Sequence, residues 1–244
     1  MKYLFLAMTE AEIRGTETLP EQLAYMACHF SPYGTGLSNI PLSLPKGSVL
    51  MLNDRTPAMG HDPLRIAEEL AAAAETLEVG AVVMDLQRPD CGLCREIAEE
   101  CIKKLRLPVA VSELYAKGLA CPVFLSAPEL WDTPEQWLAP WEGHEIWAEA
   151  ALLQAAVRIT EEGSRYRELA WEETAEELLW DAEVCAGYRV CGTEYGVEVT
   201  LRRNRKELEL WMEKAEQIGV TRFLGLYQQL GPAVPADNSC LVRR

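Results

Sequence analysis

The sequence is short of positive charge, of histidine and of long apolar runs, and each shortage removes a class of function. Lys and Arg total 23 against 38 Asp and Glu, a formal net charge of −15. A surface that acidic repels phosphate backbones and anionic lipid headgroups, so neither nucleic acid nor a membrane is an expected partner. The three histidines, His29, His61 and His144, stand apart with no HxH or HExxH grouping, and CxxC plus Cys101 lacks a second cysteine pair, so no metal centre is expected. No stretch approaches the roughly 18 apolar residues of a spanning helix. There is no GxGxxG fingerprint, Walker loop or GxSxG elbow, which argues against dinucleotide, ATP and serine-nucleophile chemistry. No cofactor is expected.

What is present is an ordinary globular balance, 49% hydrophobic and 25% charged over 244 residues. A chain of this length buries enough surface to need no covalent staple. Eight cysteines are too sparse for a disulfide scaffold of this size, although their even number leaves that framework as the alternative. The N-terminal apolar run is short and is followed by Glu10 and Glu12, unlike a secretory leader. The chain therefore reads as cytoplasmic with reduced thiols.

Short β-rich runs alternate with helical stretches. Strands are predicted over Lys2–Met8, Leu23–Phe30, Ser48–Leu52, Ala81–Leu86, Pro108–Ser112, Pro122–Leu125 and Phe223–Tyr227. The Ala81–Leu86 run is almost wholly apolar, as a strand covered on both faces requires. Pro63–Leu77 reads as a helix capped by Asp62, with Pro63 first and Leu64, Ala67, Leu70 and Ala71 on one face. Gly92–Leu105 is a second helix, Trp171–Trp180 a third, and Lys206–Ile218 a fourth, stopped by Gly219. Tyr188–Leu201 reads as a hairpin turning within Gly192–Gly196. Trp131–Gly143 reads as a loop with one short helix, and His144–Thr160 fits either a helix or two strands. Strand–helix–strand units in one direction imply a parallel sheet with helices outside. The expected fold is a (β/α) TIM-like barrel over residues 1–230, irregular through Trp131–Tyr195, with a loose tail at 231–244; an open doubly wound sheet is the alternative.

Sites in parallel sheets lie at the carboxyl ends of strands. Those ends supply Thr9 and Glu10; Asn53, Asp54 and Arg55; Asp85, Gln87 and Arg88; Glu113 and Tyr115; Ser126 and Glu129; and Tyr227, Gln228 and Gln229. Carboxylates accept sugar hydroxyls and aromatic rings stack on sugar faces, so such a rim suits a neutral, hydroxyl-rich ligand. Ordinary loop polarity is the competing account of the same residues. Clustered Trp131, Trp137, Trp141 and Trp147 either line such a cleft or seal a loop against the core.

The segment Gly80-Ala-Val-Val-Met-Asp85-Leu86-Gln87-Arg88-Pro89 resembles the fourth-strand signature of chitinase-like family 18 glycosidases, and the D-F-E-R-P strand of bacterial chitinase-like barrels. The hairpin, helix and aliphatic–Tyr strand within Val184–Tyr227 resembles their later pattern. The resemblance implies substrate-assisted hydrolysis, in which a Glu protonates the glycosidic oxygen and an Asp two residues earlier orients the substrate's acetamido group. Asp85 matches that Asp, but the Glu position holds Gln87 and the earlier Asp of the motif falls at Val83. An amide has no proton to give at neutral pH, and loss of general-acid catalysis costs ~10²–10⁴-fold in rate. The expectation is a barrel that binds a carbohydrate or similar polar ligand through Asp85, Gln87, Asp54, Tyr115, Glu129, Tyr227 and Gln228. Hydrolysis is lost, or altered with another rim carboxylate as the displaced acid: Glu113 first, with Asp54 and Glu129 as alternatives.

A second constellation, Cys91-Gly92-Leu93-Cys94, follows a strand and opens a helix, where the helix N-terminus favours a thiolate. It resembles the thioredoxin active-site segment, which implies attack by Cys91 and resolution by Cys94 in a thiol–disulfide oxidoreductase. No cis-proline strand follows at the proper distance, and half the chain has no place in that fold. The acidic run through Glu172–Glu177 reads as a solvated helix face or a dimer surface. A non-catalytic scaffold is the remaining alternative, and the oligomeric state is not legible.

Overall fold

The computed structural model describes residues 3–89, 91–128, 132–169 and 178–232. In chain order the elements are β1 (Leu4–Met8), α1 (Glu10–Gly15), β2 (Leu23–Phe30), β3 (Leu37–Ser38), β4 (Val49–Asn53), α2 (Pro63–Thr76), β5 (Ala81–Asp85), α3 (Gly92–Lys104), β6 (Val109–Ser112), α4 (Glu113–Ala116) and β7 (Val123–Leu125). Then come α5 (Pro134–Leu138), a 3₁₀ turn (Ala139–Trp141), β8 (Ile146–Ala150), β9 (Leu153–Thr160), β10 (Gly163–Glu168), β11 (Leu179–Asp181), β12 (Ala186–Thr193), β13 (Gly196–Arg203), α6 (Arg205–Gln217), β14 (Val220–Leu226) and α7 (Tyr227–Leu230). The stretch that the sequence assigns to one barrel, 1–230, holds two compact units: residues 1–126, 141–149 and 220–227, and residues 127–140, 150–219 and 228–244.

The first unit is a closed parallel barrel. Its sheet runs β1-β14-β8-β7-β6-β5-β4-β2, and β1 pairs with β2 to complete the ring; β3 is a short antiparallel addition to β2. The open-sheet alternative is thereby corrected, because both ends of an open sheet would lack a partner. The barrel's interior follows from the two-residue period of its strands. Ala7, Ala24, Val49, Met51, Ala81, Val83, Ala110, Phe124, Trp147 and Leu224 form one buried cluster. Trp147 is its largest member, with the Arg222 guanidinium 4.3 Å from its ring centroid and its indole N–H donating to Glu145 Oε1 at 2.8 Å. Trp147 therefore fills the core and lines no cleft.

Local chemistry sets the outer layer. Asp62 caps α2 by accepting from the Leu64 amide at 3.0 Å, with Pro63 in the first turn. Its buried face is Ile66, Ala67, Leu70, Ala73 and Ala74, while Leu64 is 49% exposed, a one-residue rotation from the expected face. Residues 82 and 84 of β5 point outward and are as buried as 81 and 83, which explains its unbroken apolar run. Gly80 precedes β5 because any Cβ there would meet the Gly47 carbonyl oxygen at 2.9 Å.

The second unit is an antiparallel sheet in the order β10-β9-β13-β12-β11, together with α6. The expected hairpin is present as β12–β13, and Asn204 caps α6 in a reciprocal box with Glu207. The hairpin belongs to this sheet and not to the barrel. The barrel strand in its stead is β8, inside the stretch that reads as either a helix or two strands; β8 and β9 show it to be two strands. The helix expected over Trp171–Trp180 fails at its end, where Leu179–Asp181 is strand, and Trp171–Glu177 lies outside the described residues. Of the expected tail, residues 233–244 also lie outside them.

Candidate functional site

The carboxyl ends of the barrel strands surround a cavity of about 290 Å³, near the lower limit for small-molecule sites. Its walls are apolar, from Ala7, Met26, Met51, Phe124, Leu224 and Leu226, and its polar groups are Asp85, Gln87, Ser126 and Glu149. Strand parity puts them there. On β5 the inward series is Ala81, Val83, Asp85, and on β8 it runs from Trp147 to Glu149. Asp85 thus points into the barrel mouth.

Asp85 and Gln87 are joined directly. The Gln87 side-chain amide donates to Asp85 Oδ1 at 2.6 Å and reaches Ser126 Oγ at 3.5 Å. Burial holds the Asp85 carboxyl above its ordinary value, the bond from Gln87 opposes that rise, and the nearby Asp54 charge adds to it.

Two other expected ligand groups, Asp54 and Tyr115, are occupied with holding the Gln87–Arg88 backbone in place. Asp54 is buried and turned away from the mouth, its carboxylate accepting from the Gln87 amide at 3.1 Å and the Arg88 amide at 2.7 Å. Arg88 returns the contact, its guanidinium donating to the Asp54 carbonyl at 2.8 Å and the Arg55 carbonyl at 3.0 Å. Tyr115 is buried at 7% exposure, and its hydroxyl donates to the Arg88 carbonyl while accepting from the Cys91 amide at 3.3 Å. Charge-assisted bonds of this kind are the strong ones, so the strap from Leu86 to Arg88 is rigidly held. Glu113 lies at the start of α4, half-buried, and accepts from the Ser126 amide at 3.4 Å; it does not line the cavity. Tyr227 is half-buried at the start of α7, Gln228 is exposed, and Glu129 lies outside the described residues. Thr9 caps α1 in a box with Glu12.

The residue that strand-end reading missed is Glu149. Its signal was available in Ile146-Trp-Ala-Glu-Ala150, where Trp147 and Glu149 share a face, but only once the segment is known to be a strand. Chemically the mouth offers two carboxylates, an amide and a hydroxyl above an apolar floor. That arrangement hydrogen-bonds hydroxyls while packing against a ring face or methyl group. The cysteines sit outside it. Cys91 caps α3 and Cys94 is fully buried, its thiol pushed up mainly by burial. The closed barrel also excludes a thioredoxin fold, whose sheet is open.

No family model and no curated protein sequence matches the chain. Solved structures do match. A chitinase from Chromobacterium violaceum superposes with a TM-score of 0.58 at 10% identity, covering 99% of this chain and 99% of that one. The chitinase-like agglutinin of Robinia pseudoacacia gives 0.60 at 10% identity over 96% and 97% of the two chains. A family 18 chitinase from Cycas revoluta, a double mutant with one Glu changed to Gln and in complex with (GlcNAc)4, gives 0.55 at 11% identity over 91% and 94%. The chain therefore has the closed parallel barrel fold of the chitinases and chitinase-like proteins, as the resemblance around Asp85 predicts.

Proposed function

We propose that the barrel binds a neutral carbohydrate, or a similarly polar small ligand, at the mouth formed by Asp85, Gln87, Ser126 and Glu149, and that it does not hydrolyse that ligand. The observation that carries this reading is the Gln87 amide bonded to Asp85 at 2.6 Å inside the mouth. In the family that the strand resembles, the position of Gln87 belongs to the proton donor; here it holds a side chain with no proton to donate. Binding does not need that proton. The Cycas revoluta mutant is in complex with (GlcNAc)4, and the Robinia pseudoacacia neighbour is an agglutinin with a chitinase-like fold.

The ligand is small and uncharged on two grounds: the cavity volume, and a formal net charge of −15 that disfavours anions. The same charge disfavours nucleic acid and membranes as partners. A reducing, cytoplasmic setting fits the seven free cysteines among the described residues.

Calorimetric titration with N-acetylglucosamine and its short oligomers tests the reading. Saturable binding without release of shorter sugars is expected from the natural protein. Gln87→Glu restores the missing acid in a strap that is already held in place, and should bring slow hydrolysis of the oligomers. Failure to bind any sugar of a broad panel overturns the proposal, and turnover by the natural protein overturns its second half.

A further inference from the structure

The pair Cys91 and Cys94 takes no part in the mouth, yet it is built into the loop that carries Gln87. The Cys94 amide donates to the Cys91 carbonyl at 2.9 Å, so the two residues close the first turn of α3. Cys91 is the N-cap of α3, but its side chain makes no capping bond to the helix; its thiol is hydrogen-bonded with that of Cys94 instead. The two thiols differ in access: Cys91 is half-buried and Cys94 is fully covered. A dithiol couple uses that asymmetry, one sulfur meeting the reagent and the other displacing it.

The pair is tied to the mouth by a short chain of bonds. The Cys91 amide donates to the Tyr115 hydroxyl at 3.3 Å, that hydroxyl donates to the Arg88 carbonyl, and the amides of Arg88 and Gln87 donate to Asp54. A disulfide brings two sulfurs to about 2.05 Å, far inside the separation of two thiols in contact. Cys94 is locked in the core beside Ile97, Ala98 and Cys101, the other buried residues of α3. Cys91 is therefore the residue that moves.

We infer that Cys91 and Cys94 form a reversible dithiol–disulfide couple with low-molecular-weight disulfides, and that closing it displaces the strap that holds Gln87 at the barrel mouth. The Cys91 thiolate attacks one sulfur of the external disulfide, forming a mixed disulfide and releasing one thiol. Cys94 gives up its proton and attacks the Cys91 sulfur, and the second thiol leaves with that proton. Two protein thiols are oxidised and one external disulfide is reduced to two thiols, so atoms and electrons balance. Burial and the adjoining Cys91 push the Cys94 thiol up.

The test uses the full chain, reduced, freed of reductant and incubated with oxidised glutathione. Two of its eight thiols should be lost, and peptide mapping should place the bond between Cys91 and Cys94. Cys94→Ser should stop at a glutathione adduct on Cys91, and Cys91→Ser should form no disulfide at Cys94. Deuterium exchange over the Leu86–Cys94 peptide should quicken severalfold on oxidation. A map that lacks the Cys91–Cys94 bond overturns the couple, and a bond formed with unchanged exchange overturns the link to the mouth. No sugar enters either readout, so this outcome is separate from that of the binding reading.

Discussion

Asp85 pays for its position in the mouth with a desolvated carboxyl. Burial raises its pKa from the ordinary 3.8, the bond from Gln87 only partly offsetting the rise. The folded chain therefore keeps a proton there over a pH range where the unfolded chain has released it. The sign follows: the stability contributed by this group is complete below the unfolded value and is lost as pH rises through the folded one. Asp85→Asn is neutral throughout and lacks that loss. Urea unfolding of both proteins from about pH 4 to about pH 7 should show the variant gaining on the natural protein as pH rises. A constant difference across that range would mean that the carboxyl is solvated in the fold. Asp54, by contrast, has both carboxylate oxygens committed to the amides of Gln87 and Arg88. The same residue type thus faces the mouth at one strand end and serves as a backbone clamp at the next.

Parity within an element is what separates those two roles, and it marks how far the sequence could be read. On β4 the inward series Val49, Met51 continues to Asn53, so Asp54 faces away from the mouth. A roll of polar residues at strand ends cannot make that distinction, which is why Asp54 and Tyr115 read as ligands although they act as clamps. The place of Asp85 and Gln87 at the barrel mouth was legible because the strand before them is an unbroken apolar run bounded by Gly80, which fixes both register and inward face. Glu149 was not legible, because Ile146–Thr160 mixes alanine with β-branched residues and carries no turn signal that a single period can interpret. The β12–β13 hairpin was legible for the opposite reason, since Gly192 and Gly196 bracket its turn. Gly196 sits at φ +156°, and a Cβ there would lie 2.0 Å from the Ile159 carbonyl oxygen on neighbouring β9. Gly196→Ala must push β13 off β9, where Gly196 pairs with Thr160. The expected cost is about 3 kcal/mol, measured as a lower urea midpoint. An unchanged midpoint would mean that the hairpin tip contributes nothing to the sheet.

At the scale of the whole molecule two electrostatic effects oppose each other, and their sizes decide which one salt reveals. The ion pairs, such as Lys46–Glu78 at 3.1 Å and Lys104–Glu68 at 3.0 Å, join side chains that are mostly exposed. Exposed pairs are worth about 0–1 kcal/mol each and weaken as salt is added. Against them stands the mutual repulsion of a chain with 38 acidic and 23 basic side chains. Compaction brings the excess carboxylates closer together, so the net charge works against the folded state. The Debye length falls from about 30 Å at 0.01 M to about 8 Å at 0.15 M ionic strength. Contacts of about 3 Å lie well inside either length, whereas repulsion summed over the surface acts across distances that only the shorter length screens. Sodium chloride should therefore stabilise the protein over this interval, with Tm rising by about 2–4 °C for each kcal/mol of repulsion removed. Calorimetric scans at the two ionic strengths measure it. A fall in Tm would show that local ion pairs outweigh the excess of acid.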